Sequence, residues 1–240
     1  MSGSIRIFVA DPLFAGGTIV PSAAQAHYLG NVMRRGVGDA VRLFNGRDGE
    51  WLARIAAIRK DKAVLAVEGQ LRPQAPEADI WLVFAPLKRD ATDMLVQKAT
   101  ELGVAALLPV FTERTNTARL NLERLRAIAV EAAEQSERLS VPVLREAVDL
   151  PALLGAWPAG RVLYVAVERS QAQGLRPMKG PAGLLPAGLL IGPEGGLSRQ
   201  DHEILMIGEK SVGVSLGPRV LRAETAAIVG LALLQAPGCG

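Results

Sequence analysis

The sequence predicts a mixed α/β protein: a small domain of short β-strands, then a larger α/β domain on a mainly parallel sheet. Three observations carry this expectation. The first third alternates apolar and polar residues in short runs broken by turn residues. Residues 70–79, Gln-Leu-Arg-Pro-Gln-Ala-Pro-Glu-Ala-Asp, hold two prolines and no apolar periodicity, so they read as a linker. Beyond them, apolar runs of strand length alternate with helical periodicity, the pattern of strands crossed over by helices. The boundary therefore divides the chain into residues 1–72 and 73–240.

In the first domain, Arg6–Val9 and Ala40–Phe44 read as strands, and Asn45-Gly46-Arg47-Asp48-Gly49 is a turn signal. Trp51–Ile58 and Ala63–Val67 follow, with Asp61-Lys62 as a tight turn between them. Strands at this spacing suit a closed or partly closed barrel. Ser22 with Gln25 three residues on forms a capping-box pattern, which starts a helix running to about Met33.

In the second domain, Ile80–Ala85 and Val104–Phe111 read as strands around a helix from Asp90 to Leu102, stopped by Gly103. Leu122–Leu139 places Leu125, Ile128, Ala132 and Leu139 on one helical face, and Glu134 and Arg138 at i, i+4 on another. Arg161–Val167, Leu189–Ile191 and Val212–Leu216 are three further apolar strands. Ser198 caps a short helix, with Asp201 as a weaker capping-box partner. A final helix starts near Ala223, and from Thr225 to Gly240 it meets no charged residue. A helix apolar all round must be covered all round, within the domain or by a second subunit.

Composition narrows the function. With 49% hydrophobic and 21% charged residues, the chain can bury a core and is not a disordered one. A lone Cys239 cannot form an internal disulfide, which points to an intracellular, cytoplasmic protein. One cysteine and two histidines argue against a zinc site. No signal-peptide pattern and no membrane-length apolar run are present. Residues 1–72 hold 10 Lys and Arg against 6 Asp and Glu, whereas residues 73–240 hold 17 against 18. A basic first domain suggests either a polyanionic partner or a solvated surface that happens to be arginine-rich.

The chemistry concentrates in two glycine-marked segments, Leu190-Ile-Gly-Pro-Glu-Gly-Gly-Leu-Ser198 and Ser215-Leu-Gly-Pro-Arg-Val-Leu-Arg-Ala-Glu-Thr-Ala226. Each leaves a strand, breaks at glycine and proline, and runs toward a helix. Two such loops on one side of a parallel sheet make a backbone-lined pocket. Neither matches the phosphate-loop or dinucleotide fingerprints, so a nucleotide-phosphate cradle has no motif support. Arg222 could meet an anionic group or balance a carboxylate. Glu194 and Glu224 have equally plain roles, in a solvated turn and at a helix start. His202 reads as lying on an exposed helix, and His27 as a packing residue.

At these residues the sequence resembles the RsmE family, 16S ribosomal RNA uridine-N3 methyltransferases of the SPOUT (α/β-knot) superfamily. The resemblance extends to Gln97-Lys-Ala-Thr-Glu-Leu-Gly-Val104, Glu113-Arg-Thr115, Glu134-Gln-Ser-Glu-Arg138, His27-Tyr-Leu29, Val32-Met-Arg34 and Gly38-Asp39. Leu197 and Met33 depart from it, standing where phenylalanine and leucine are common. The resemblance implies an N-terminal PUA-like RNA-binding barrel and a SPOUT domain with a trefoil knot. It also implies bound S-adenosylmethionine, a homodimer through the C-terminal domain, and a decoding-region uridine of 16S rRNA in the small ribosomal subunit as substrate. The expected cofactor contacts are Ala166, Glu168, Ile191, Gly192, Gly196, Leu216, Gly217, Arg219 and Leu221. Arg222 is the expected catalytic cation, and Glu194 is either the base or a residue of the cofactor loop. Arg6, Arg34, Arg35, Lys88 and Arg89 are the expected RNA contacts. A SPOUT enzyme acting on another RNA, or a non-catalytic RNA-binding protein, are the alternatives.

Overall fold

The computed structural model describes residues 5–117, 119–167, 174–175, 179–180, 183–184, 186–207 and 211–236. The chain forms two compact units, Met1–Pro76 with Ala133–Val141, and Glu77–Ala132 with Pro142–Gly240. Residues 133–141 thus cluster with the first unit, which a single boundary at 72/73 does not anticipate.

In the first unit the elements are β1 (Arg6–Phe8), β2 (Thr18–Ile19), the short helix α1 (Ala23–His27), β3 (Ala40–Phe44), β4 (Glu50–Arg59) and β5 (Lys62–Arg72). The sheet order is β1-β3-β4-β5-β2, parallel at β1/β3 and antiparallel elsewhere. Register shifts in the long β4/β5 pair increase its local twist. Ile7, Leu29, Val41, Leu43, Ile55 and Leu65 fill the core. The Ser22–Gln25 capping box is present. The expected helix to Met33 gives way to a wider turn of π type at Tyr28–Val32. The β4/β5 turn falls at Lys60-Asp61, one residue earlier than expected, with Lys60 at φ +54°. The expected linker loses Gln70–Arg72 to β5, because Arg72 pairs in register with Glu50 and its guanidinium binds that carboxylate at 3.0 Å.

That carboxylate is the hub of the unit. Glu50 also receives Arg6 Nε at 2.6 Å. The Arg6 guanidinium donates on to the carbonyls of Ala133 and Glu134 (both 2.9 Å) and Arg138 (2.6 Å), and lies 4.4 Å from the centroid of the Phe44 ring. These are carbonyls at a helix C-terminus, where a cation is favoured.

The second unit contains β6 (Ile80–Phe84), α2 (Arg89–Glu101), β7 (Ala106–Phe111), α3 (Leu122–Gln135, its last turn in the first unit), β8 (Val143–Leu144), β9 (Val148–Asp149) and α4 (Leu150–Gly155). It continues with β10 (Val162–Ala166), β11 (Lys179–Gly180), β12 (Gly183–Leu184), β13 (Ala187–Ile191), α5 (Arg199–Met206), β14 (Ser211–Val214) and α6 (Ala223–Gln235). The main sheet runs β14-β10-β13-β6-β7-β8, with β9 also on β7, and every pair is parallel. α3 stops at Gln135, short of Leu139, so Glu134 and Arg138 do not share a helical face. Glu134 accepts the Phe8 N–H instead.

After the edge strand β14, the chain returns to the middle of the sheet, where α6 packs on β13 and α2. Its connecting segment runs beside residues 174–175, which pair with Ser215. α6 buries Ala227, Gly230, Leu231 and Leu234, while Leu233 stays exposed.

Close packing constrains the centre of the sheet. A Cβ on Gly188 would lie 2.5 Å from the Trp157 ring. That indole cannot easily yield, since its N–H donates to the Arg161 carbonyl (2.8 Å) and its ring sits edge-on to Trp81. Gly188→Ala should therefore cost about 1–3 kcal/mol of stability, from overpacking. The check is a lower urea midpoint at unchanged slope.

Candidate active site

Parallel strands deliver their C-terminal ends, and the loops beyond them, to one edge of the sheet. At that edge lies a cleft of about 940 Å³. Ala166 and Val167 reach it from β10, and Ile191 with the 192–197 loop from β13. Leu216, Gly217 and residues 219–224 follow β14 into it. Lys88, Arg114, Asn116 and Thr117 close the remaining side.

All the expected cofactor contacts that fall on described residues line this one cleft: Ala166, Ile191, Gly192, Gly196, Leu216, Gly217, Arg219 and Leu221. Glu168 lies outside the described residues. The glycines are there for backbone reasons. Gly196 (φ +69°) and Gly217 (φ +123°) occupy conformations that a side chain strains.

Arg222 is exposed at the cleft, and Ala226 N–H caps back onto its carbonyl. Among the described residues its guanidinium has no hydrogen bond or ion pair. Glu194 also faces the cleft, but its carboxylate accepts the Lys88 N–H at 3.3 Å. Glu224 sits in the first turn of α6, where a carboxylate is favoured. His202, expected on an exposed helix, is half-buried and lines the cleft. His27, expected to pack, is exposed and bonded to Asn31 at 2.7 Å.

The expected RNA contacts divide. Arg6 is only 6% exposed, and its guanidinium is taken up by Glu50 and three carbonyls, so it is withdrawn from the set. Arg34, Lys88 and Arg89 are exposed, and Arg35 is half-buried. Sequence reasoning left Arg114, Asn116 and Thr117 out of the site. The only signal was for Arg114, in the Glu113-Arg114-Thr115 segment within the resemblance.

A family model described as an RNA methyltransferase domain matches residues 73–235, and one described as an RNA methyltransferase PUA domain matches residues 21–68. The ribosomal RNA small subunit methyltransferase E of Rickettsia conorii is 31% identical over 97% of this chain and 96% of its own.

The chain belongs to the RsmE family.

The RsmE protein of Synechocystis is 33% identical, over 96% of this chain and 77% of its own. Among solved structures, RsmE from Neisseria gonorrhoeae, bound to S-adenosylmethionine, superposes with a TM-score of 0.89 at 27% identity, covering 97% of both chains. A Legionella pneumophila methyltransferase with the same cofactor bound gives 0.86 at 30% identity, again over 97% of both. The fold is that of the SPOUT methyltransferases with a PUA-like first domain. In this RsmE family member, no group of His, Cys, Asp and Glu able to hold a metal ion occurs among the described residues. No described helix is long and apolar enough to cross a membrane.

Proposed function

We propose that this chain methylates ribosomal RNA of the small subunit, using S-adenosylmethionine, at N3 of a uridine in the decoding region. The observation that carries the reading is the convergence of the two glycine loops on one cleft at the strand ends. Relatives matched along nearly the whole chain are named as small-subunit rRNA methyltransferases, and two similar structures hold S-adenosylmethionine.

The residues present suit that cofactor. The cleft volume of about 940 Å³ falls in the range of ligand pockets. Ala166, Ile191, Leu216 and Leu221 offer apolar surface to a flat base. The glycine-rich turns at 192–196 and 217 bring peptide N–H and carbonyl groups within reach of polar edges. Arg219 adds a cation at the rim. When bound, the cofactor supplies an electrophilic methyl on a sulfonium.

The protein's own task is to hold the uracil and favour its anion. The imide nitrogen must lose its proton to accept a methyl. The Arg222 guanidinium, without a partner among the described residues, would stabilise the negative charge spread onto the uracil carbonyls. Arg34, Arg35, Lys88 and Arg89 are the cations proposed to meet RNA, with binding that weakens steeply with salt. A homodimer through the C-terminal domain is supported by Met94 of α2 and Leu233 of α6, exposed at 48% and 38%. A cytoplasmic location follows from the ribosomal substrate.

Calorimetric titration with S-adenosylmethionine should give saturable binding. Incubation of unmodified small subunits with methyl-labelled cofactor should place the label on one 3-methyluridine. No binding heat and no thermal shift would sink the enzymatic reading. Label on another base atom would overturn the uridine-N3 assignment alone.

A further inference from the structure

We propose that Arg114 and Glu194 are positioning residues that grip the 193–197 loop from its two flanks, and that Glu194 therefore acts as a hydrogen-bond acceptor rather than as the base. The proposal rests on the methyltransferase reading of the cleft and assigns the work of two charged groups within it.

The loop has few bonds of its own. Gly196 N–H reaches the Pro193 carbonyl at 2.8 Å, and the rest of its fixing comes from elsewhere. On one flank, the Arg114 guanidinium donates to the Gly195 carbonyl at 3.0 Å, and its stem lies alongside Gly195. On the other, the Glu194 carboxylate accepts the Lys88 N–H at the start of α2. A carboxylate there also meets the positive end of that helix.

Both anchors are themselves held. The turn bearing Arg114 is closed by Thr112 N–H to Thr115 Oγ1 (2.9 Å) and Thr115 N–H to the Thr112 carbonyl (3.1 Å). The same turn is tied to the base of the loop through Asp201. That carboxylate, 4% exposed, accepts Ser198 N–H at 2.9 Å and Glu113 N–H at 3.3 Å. The segment before Lys88 is fixed by Thr92, whose Oγ1 bonds both the Leu87 N–H and carbonyl at 3.0 Å, and by Thr117 Oγ1 on that carbonyl. The loop is thus suspended between two rigid supports, with its cleft-facing peptides preset. Each anchor pairs a charged group with a backbone group. Losing one should weaken what the loop binds by about tenfold.

The test separates positioning from proton transfer. Arg114→Ala and Glu194→Ala should each raise the KM for S-adenosylmethionine about tenfold, with a smaller effect on kcat. Glu194→Gln keeps an acceptor oxygen but cannot take a proton, so it should recover most of the loss seen in Glu194→Ala. A fall in kcat of about a hundredfold or more in both Glu194 variants, with loss of the acidic limb of the pH–rate profile, would make Glu194 the base and overturn the proposal. Amide exchange at Lys88 is read in parallel without ligand. Protection should fall in Glu194→Ala and return in Glu194→Gln, and equal protection in all three proteins would also overturn it. Failure of the unsubstituted protein to bind cofactor would instead defeat the methyltransferase reading, while Lys88 exchange would still decide the grip.

Discussion

Arg222→Ala should lower kcat for methylation of small subunits by about 10²–10³-fold, while the affinity for S-adenosylmethionine stays within about threefold. The expectation follows from how the side chain is placed. Arg222 is the N-cap of α6, with extended backbone, and its side chain makes no cap bond. Its carbonyl closes the first turn of the helix, a bond that alanine retains. The guanidinium is exposed at the cleft and bonded to none of the described residues, so deleting it removes no bond among them. On the proposed mechanism, what it removes is a donor to charge that exists only as the uracil loses its proton, and such interactions act on kcat. Arg222→Lys should recover part of the loss. Single-turnover rates with equilibrium cofactor binding decide the matter. Full activity in the alanine variant would exclude Arg222 from the chemistry, and a parallel collapse of cofactor binding would make it a cofactor ligand.

Glu50→Ala should destabilise the first unit by about 3–5 kcal/mol, the cost of stranding a buried charge. Glu50 and Arg6 side chains are 1% and 4% exposed, and the Arg6 guanidinium would be left with carbonyls and the Phe44 ring but no anion. The same cluster predicts a pH dependence. Burial pushes the Glu50 carboxyl up, but the hydrogen bonds and charges of Arg72 and Arg6 outweigh it and hold the group below the ordinary glutamate value. A carboxyl depressed in the folded state adds stability that is complete above its unfolded pKa and disappears as pH falls through its folded pKa. Urea midpoints should therefore drop on acidification below about pH 4.5, and Glu50→Gln should flatten that part of the curve. An unchanged acid limb in the variant would show that other carboxylates govern it.

Much of the fold was readable along the chain because its determinants are local. Ser22 with Gln25 and Ser198 with Asp201 announced two helix starts, and both capping boxes are present. Gly103 at φ +79° ends α2 where the sequence placed the stop. The errors arose where a distant partner intervened. β5 outran the expected linker because Arg72 lies opposite Glu50. α3 stopped before Leu139, with Glu137 at φ +57° and the carbonyls of its last turn taken by Arg6. Arg114 escaped notice because nothing in Glu-Arg-Thr announces that its guanidinium will reach a carbonyl 81 residues away.

The amino-acid sequence alone determined the periodic elements, the two glycine turns and the loops that would bound a pocket. These depend on backbone preference and apolar spacing over a few residues, and both are written locally. Only the tertiary structure decided which charged groups are engaged and which are available. Arg6 and Arg222 are the same residue type. One is buried against a carbonyl 127 positions along the chain, and the other stands exposed in the cleft. The Glu194 carboxylate is engaged by a Lys88 amide 106 positions distant. Burial and hydrogen-bond partners are set by segments remote in sequence, so the roles of these side chains emerge only once the sheet has brought the segments together.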